Sequence, residues 1–66
     1  MYKNGEELTR DEQFEDHLGR DVPVQIYRGN LHSDIGFVQA VLPDFIRVND
    51  TFYRRDLFTF ISRPGY

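Results

Sequence analysis

The side chains best able to do chemistry are sparse in this chain, which has two histidines and no cysteine in 66 residues. His17 and His32 have no further ligand at metal-binding spacing, so we expect no metal site. Ser33 and Asp34 follow His32 and supply the residue types of a hydrolase triad. Three neighbours in sequence seldom have triad geometry, however. We therefore predict no enzymatic activity, no catalytic residue and no cofactor.

Carboxylates recur four residues apart near the N-terminus, as Asp11 with Glu15 and Glu12 with Asp16. This spacing places each pair on one face of a helix, where two carboxylates are able to attract a cation. A solvated acidic face is the simpler interpretation, because an exposed like-charge pair costs only a few tenths of a kcal/mol.

The C-terminal third combines aromatic and basic side chains. These are Phe52, Tyr53, Arg54, Arg55, Phe58 and Phe60. Tyr, Phe and Arg are enriched at protein interfaces. Aromatic rings that stack on bases, beside arginines that meet phosphates, are also typical of a single-stranded nucleic-acid surface. Both interpretations stay open on residue types alone.

Alternation along the last predicted strand favours the protein interface. Leu57, Thr59 and Ile61 fall on one face and Phe58 and Phe60 on the other, so both faces are largely apolar. One small interior cannot bury both faces, and the second needs cover from the helix or from another chain. We predict an interface formed by Phe52, Tyr53, Phe58 and Phe60 that binds a second copy or another protein, with edge strands pairing between chains.

Composition limits the partners further. The net charge is −3, the isoelectric point is near 5.1, and an acidic chain is poorly suited to neutralising phosphates. No apolar stretch approaches the roughly 20 residues of a membrane span, and the N-terminus has no apolar signal segment. With no disulfide framework either, we expect a cytoplasmic protein with no membrane partner.

The pattern predicts one domain over residues 1–66, with a frayed segment at 1–7 and a helix at 9–18. Thr9 and Glu12 have the spacing of a capping box. Phe14 and Leu18 form a short apolar stripe that must pack on something, because so short a helix does not persist alone. Gly19 is placed to end the helix in a left-handed conformation.

Five strands are predicted between residues 22 and 62, at 22–27, 35–42, 45–48, 52–54 and 57–62. Residues 28–34 are expected to form a loop or a tight hairpin, and 49–51 a hairpin turn. Ile46 and Val48 should point inward. Gly36 is expected to bend a central strand that contributes to two sides of a small antiparallel barrel.

The motifs VPVQIY, DFIRV and FYRRDLFTFISRP, in this order after a helix, resemble the Sm-like family of the bacterial RNA chaperone Hfq over residues 9–64. In that family the first strand often reads VPVxIY and the last motif YKHAIST. The resemblance implies a mainly β fold, a small five-stranded antiparallel SH3-like or Sm-like barrel with a short N-terminal α-helix.

The resemblance also implies RNA contact by four residues. Tyr53, Arg54 and Arg55 align with the family's Tyr-Lys-His, and Phe45 aligns with the phenylalanine that stacks on bases at the ring's central pore. The chain departs from the pattern where Arg55 replaces the histidine, where Asn30 lacks a following glycine, and by one extra residue near positions 42–43. Hfq-like RNA binding is therefore the alternative to a protein-interaction or assembly module.

Overall fold

The computed structural model describes residues 2–66 and contains one helix and seven short strands. The helix α1 spans Asp11–Arg20. The strands are β1 (Glu7–Leu8), β2 (Val24–Arg28), β3 (Leu31–Gly36), β4 (Val38–Val41), β5 (Phe45–Val48), β6 (Thr51–Arg54) and β7 (Thr59–Ser62).

The strands form two antiparallel sheets, which confirms the predicted mainly β architecture. The first sheet has the order β1-β7-β2-β3, and the second has the order β4-β5-β6. Only Phe37 separates β3 from β4, so the chain passes from one sheet to the other at that residue. Within residues 2–66, β6 pairs with β5 alone and does not reach β7, so the sheets are not closed into one barrel.

Two-residue turns set the register of the β2–β3 and β5–β6 hairpins. Arg28 pairs with Leu31 across a turn in which Gly29 has φ +60°, so the segment at 28–34 is a tight hairpin rather than a loop. Val48 pairs with Thr51 across Asn49-Asp50, both left-handed at φ 52° and 62°. Positive φ at both central residues is the type I′ geometry, whose twist matches that of the flanking strands.

The helix begins and ends two residues later than predicted. Its N-terminal contact comes from Gln13, whose Oε1 accepts hydrogen bonds from the amides of Thr9 and Arg10 at 2.8 and 3.0 Å. The predicted pairing of Thr9 with Glu12 is therefore wrong. Gly19 lies within the helix, and Asp21 takes the left-handed position after it.

The buried stripe of the helix also differs from the prediction. Phe14 is buried as expected, but Leu18 is exposed, and Gln13 and His17 take its place on the inner face. Positions 13, 14 and 17 lie on one side of a helix, just as positions 14 and 18 do. Because Gln13 and His17 are polar, a search for apolar residues at helical spacing does not detect this stripe.

The core lies between the two sheets and the helix. Its buried side chains are Leu8, Phe14, Val24, Ile26, Val38, Ile46, Val48 and Phe60. Ile46 and Val48 point inward as predicted. Every strand except β3 and β6 contributes to this set.

Residues 2–7 take part in the fold, whereas a frayed segment was predicted at 1–7; Met1 lies outside the described residues. The Gly5 amide donates to the Ser62 carbonyl at 2.8 Å, and β1 pairs with β7. The Tyr2 ring lies 4.3 Å from the His17 ring, and its hydroxyl donates to Asp16. The N-terminal segment therefore covers β7 and the inner face of the helix.

Candidate functional site

The outer face of the second sheet is built by the register of its hairpin. Arg47 lies opposite Phe52, and Phe45 lies opposite Arg54. Directly opposed residues point to the same side of a sheet, and the intervening Ile46 is fully buried. Arg47, Phe52, Phe45 and Arg54 therefore point away from the core. We call these four residues the outer face.

The two phenylalanines of the outer face form an exposed aromatic pair. The Phe45 and Phe52 ring centroids lie 6.2 Å apart in an edge-to-face arrangement. Phe52 is 53% exposed, an unusual fraction for so large an apolar side chain. The Arg47 guanidinium lies 5.5 Å from the Phe52 ring centroid, which is a cation–π distance. An apolar patch flanked by cations results.

Aspartates neutralise both arginines of this face. Arg47 Nη2 lies 3.1 Å from Asp50 Oδ1. Arg54 forms a two-point contact with Asp56, with Nε–Oδ1 at 3.1 Å and Nη2–Oδ2 at 2.7 Å. The outer face consequently carries paired charges of both signs rather than a positive potential.

An open groove of about 550 Å³ lies where the β4–β5 and β6–β7 connections approach each other. It is lined by Pro43, Asp44, Phe45, Arg54, Arg55 and Asp56. Two of these side chains are acidic and two are basic. The groove extends the outer face beyond Phe45 with the same balance of charge.

Arg55 lies at an internal junction instead of on the outer face. Its Nη1 lies 2.6 Å from Asp11 Oδ1 and donates to the Leu42 carbonyl at 2.9 Å. Its guanidinium lies 5.0 Å from the Phe14 ring centroid, and the side chain is only 18% exposed. Arg55 therefore joins the start of the helix to the end of β4, so only part of it is accessible to a ligand.

Tyr53 points inward and joins the two sheets. Its hydroxyl donates to Asp34 Oδ2 on β3 at 2.7 Å. This hydrogen bond is the main cause that lowers the pKa of Asp34 below its ordinary value, and the amide of Ile35 and the side chain of Asn49 act in the same direction. Burial first, and then the hydrogen bond to Asp34, raise the pKa of Tyr53.

The two remaining phenylalanines of the predicted interface are interior residues. Phe60 is 2% exposed and packs edge-on against Phe14 at 5.2 Å. Phe58 is half-buried and packs edge-on against Tyr53 at 5.1 Å. The inner face of β7 is therefore the one with Phe60 and Ser62, and Leu57 is exposed. Phe60 in particular is not available to a partner.

The seven residues predicted for an interface or for RNA contact thus divide. Phe45, Phe52 and Arg54 come together on the outer face, while Tyr53, Phe58 and Phe60 point inward and Arg55 lies at the junction. Sequence reasoning missed Arg47. A two-residue turn at Asn49-Asp50 places it opposite Phe52, but a three-residue turn was predicted at 49–51 and left the register unset.

A histidine–serine pair lies beneath the helix. His17 Nε2 lies 2.7 Å from Ser62 Oγ, and Nδ1 lies 2.7 Å from the carbonyl oxygen of Gln13. A carbonyl only accepts, so in the neutral ring Nδ1 donates and Nε2 accepts from the serine hydroxyl. Both side chains are fully buried. A substrate cannot reach Ser62 Oγ in this arrangement, and the pair serves to join α1 to β7.

No protein-family model matches the chain, and no curated protein or solved structure matches it significantly. The resemblance to the Sm-like family stays a prediction. Over residues 2–66, no helix has the length and apolar character needed to cross a lipid bilayer. In the same described part of the chain, no three His, Cys, Asp or Glu side chains are grouped to hold a metal ion.

Proposed function

We propose that this chain is a non-enzymatic protein-interaction module that assembles with a second copy of itself. In this proposal β2, the bent pair β3–β4, β5, β6 and β7 form a five-stranded, partly open barrel of the SH3-like or Sm-like type. The single residue between β3 and β4 and the return of β7 to β2 support that description. The opening lies between β6 and β7.

One observation carries the proposal: the Phe45–Phe52 pair, with Phe52 exposed, lies beside an edge of β6 that has no partner strand within residues 2–66. Exposed aromatic pairs flanked by arginine are typical of the centre of protein interfaces. An unpaired strand edge offers backbone donors and acceptors to an incoming strand. Charges of both signs on the outer face suit a protein surface better than a polyanion.

Sedimentation velocity and equilibrium at micromolar concentration test the proposal. We expect a mass above that of one chain, which Phe52→Asp returns to the mass of one chain without loss of the folded circular-dichroism spectrum. Leu31→Asp is the matched control, because Leu31 is 75% exposed on the far hairpin. A wild-type chain that sediments as a single copy, or equal effects of the two variants, would overturn the proposal.

RNA binding is the second candidate, and one observation favours it. Phe45 and Phe52 present two rings beside Arg47 and Arg54, the residue types on which single-stranded bases stack. The aspartate partners of both arginines weaken this candidate, because they compete with phosphate.

Fluorescence anisotropy with A-rich and U-rich oligonucleotides in about 50 mM salt tests the second candidate. Binding that weakens with salt and is lost in both Arg54→Ala and Phe52→Ala supports it. Absence of binding under these conditions, or equal binding by Arg54→Ala, excludes the outer face as an RNA surface.

A further inference from the structure

The backbone of β6 has free hydrogen-bonding groups at known positions. In a hairpin closed by a two-residue turn, the flanking residues form the first hydrogen-bonded pair and the bonded pairs then alternate. Thr51 and Tyr53 therefore direct their backbone groups toward β5, while Phe52 and Arg54 direct theirs away. The Arg54 carbonyl accepts from the amides that begin the next turn. Within residues 2–66, the Phe52 N–H and C=O and the Arg54 N–H have no backbone partner.

The other edge strands are less suited to a second chain. β4, the other edge strand of the second sheet, packs against α1. Both edges of β7 are occupied, by β1 and β2. The second edge of β3 is covered near Ile35, whose carbonyl accepts from Asn49 Nδ2 at 2.9 Å. The remaining edge of β1 is two residues long. The β6 edge combines free backbone groups with the exposed ring of Phe52 beside it.

We infer that two copies pair antiparallel through β6, about a two-fold axis at Phe52. This inference rests on the proposed self-assembly and gives it a geometry. A two-fold axis pairs the same strand of both copies in antiparallel direction. With the axis at Phe52, each Phe52 N–H donates to the Phe52 carbonyl of the other copy. The two Phe52 rings then lie side by side on one continuous outer face.

The same register makes the charges self-complementary. Two residues away from the axis, Arg54 of one copy lies opposite Asp50 of the second copy. Phe52 and Arg54 point to the outer face by strand alternation, and the side chain of the turn residue Asp50 lies on the same side because it contacts Arg47. Asp50 already contacts Arg47, and Arg54 already contacts Asp56. Pairing therefore links two existing ion pairs into one network of alternating sign at each end of the strand.

Other registers lose this match. A shift by two residues moves the axis to Thr51 or Tyr53. Phe52 then lies opposite Asp50 or Arg54, and no oppositely charged side chains face each other. A shift by four residues moves the axis to Arg54 or Asp50. With the axis at Arg54, two arginines face each other at the centre, which is unfavourable for directly opposed like charges. With the axis at Asp50, two aspartates do so. The charges at both ends of β6 thus select the Phe52 axis and the second copy as occupant of the edge.

Charge reversal in two separate chains tests the register. In its own dimer, Arg54→Glu sets two carboxylates opposite each other, and Asp50→Lys sets an ammonium group opposite the Arg54 guanidinium. We expect each variant alone to raise the dimer dissociation constant at least about tenfold. An equimolar mixture restores wild-type association as a heterodimer, because every opposed pair is then oppositely charged. Sedimentation of each variant and of the mixture measures this.

Single-cysteine variants give a second measurement of the register. It does not require a substitution of Asp50, whose backbone has a left-handed φ of 62°. The chain has no cysteine of its own. Opposed residues of an antiparallel pair are within disulfide reach, whereas residues displaced by four positions are not. We expect oxidation to cross-link Phe52→Cys dimers and to leave the same-strand control Arg54→Cys uncrosslinked.

The outcomes separate this inference from the proposed function. A wild-type dimer that depends on Phe52, but whose charge variants fail to associate on mixing and whose Arg54→Cys variant cross-links, overturns the register and leaves self-assembly standing. A wild-type chain that stays a single copy overturns both. Restored association of the mixture together with cross-linking at position 52 alone establishes the register.

Discussion

The strands β6 and β7 follow each other in the chain, each contains a phenylalanine as its second residue, and they have opposite surroundings. β7 has a strand on each side, and the helix packs Phe14 on Phe60 and His17 on Ser62. β6 has one neighbouring strand and exposes Phe52. The cover of β7 comes from residues 2–20, which precede both strands. In the part of the chain that the structure describes there is no matching cover for β6, and this difference separates a structural strand from a candidate binding strand.

The β5–β6 hairpin is held to the first sheet by polar contacts around Asp34. Tyr53 donates to one carboxylate oxygen and Asn49 to the other, at 2.7 and 3.0 Å. These contacts fix the inner side of the hairpin while its outer side stays open. The comparison therefore predicts large effects of substitution at β7, smaller ones where the hairpin is anchored, and small ones on the outer face.

The largest effect is expected from Phe60→Ala. Removing a fully buried ring costs about 3–5 kcal/mol, which is comparable to the whole stability of a domain this small. Phe52→Ala, the matched aromatic on β6, should change the free energy of unfolding of the single chain by no more than about 0.5 kcal/mol. Urea denaturation at concentrations below self-association measures both, and Phe60→Leu gives a milder variant. Equal losses at the two positions would remove the distinction between the strands.

The next effect distinguishes the adjacent arginines. Arg55→Ala removes an ion pair with Asp11, a hydrogen bond to the Leu42 carbonyl and a cation–π contact with Phe14. We expect a loss of about 1–3 kcal/mol, because the hydrogen bond, the ion pair and the packing of a mostly buried side chain are lost together. Arg54→Ala breaks an exposed pair worth at most about 1 kcal/mol. If urea midpoints show a larger loss of stability in Arg54→Ala than in Arg55→Ala, the assignment of Arg54 to the surface and of Arg55 to the junction is wrong.

A comparable effect is expected where the hairpin turn meets β3. A Cβ on Gly36 would lie 2.7 Å from both Nδ2 and Oδ1 of Asn49, which hydrogen bonds hold in place. Gly36→Ala should therefore cost about 1–3 kcal/mol. In Asn49→Gly the obstructing side chain is gone and the left-handed φ is retained without strain. Adding Gly36→Ala to Asn49→Gly should cost much less than Gly36→Ala alone, and additive losses in a double-mutant cycle would argue against this contact.

Periodicity was sufficient to predict most of the strands, because alternation and turn residues are local properties of the chain. It predicted Ile46 and Val48 as core and chain reversals within 28–34 and at 49–51, but not the two-residue turns at 29–30 and 49–50 or the start of β3 at Leu31. The buried positions of Gln13 and His17 were not predicted from periodicity, because their burial depends on partners such as Ser62, which is far away in sequence. The strand β1 was not predicted either, because two residues are too few to show an alternating pattern.

The candidate site was predictable in composition but not in arrangement. Phe45, Phe52 and Arg54 were recognised as surface candidates by residue type. Which face of β7 is buried depends on what the helix covers, so the choice between Phe60 and Leu57 could not be made locally. Arg47 required the register of the hairpin, which changes by one residue between a two-residue and a three-residue turn.

The smallest and most specific expectation concerns pH and the anchor of the hairpin at Asp34. Its pKa is lowered in the folded chain, chiefly by the Tyr53 hydroxyl, so the folded state binds fewer protons than the unfolded state at acidic pH. The stabilisation is complete above the ordinary value of about 3.9 and is lost as the pH falls through the lower folded value. Asp34→Asn should therefore lower stability near neutrality and flatten the acid side of the stability curve.

Urea midpoints between neutral pH and the acid limit measure this, with Asp44→Asn as control because that exposed side chain makes no hydrogen bond within residues 2–66. Tyr53→Phe removes the principal cause of the shift and should flatten the acid side in part. An Asp34→Asn chain that loses stability in acid as steeply as the wild type would show that other carboxylates control the acid response. The hairpin would then be held mainly by its pairing with β4 and by apolar packing, and the outer face would depend less on its inner anchor than the geometry around Asp34 indicates.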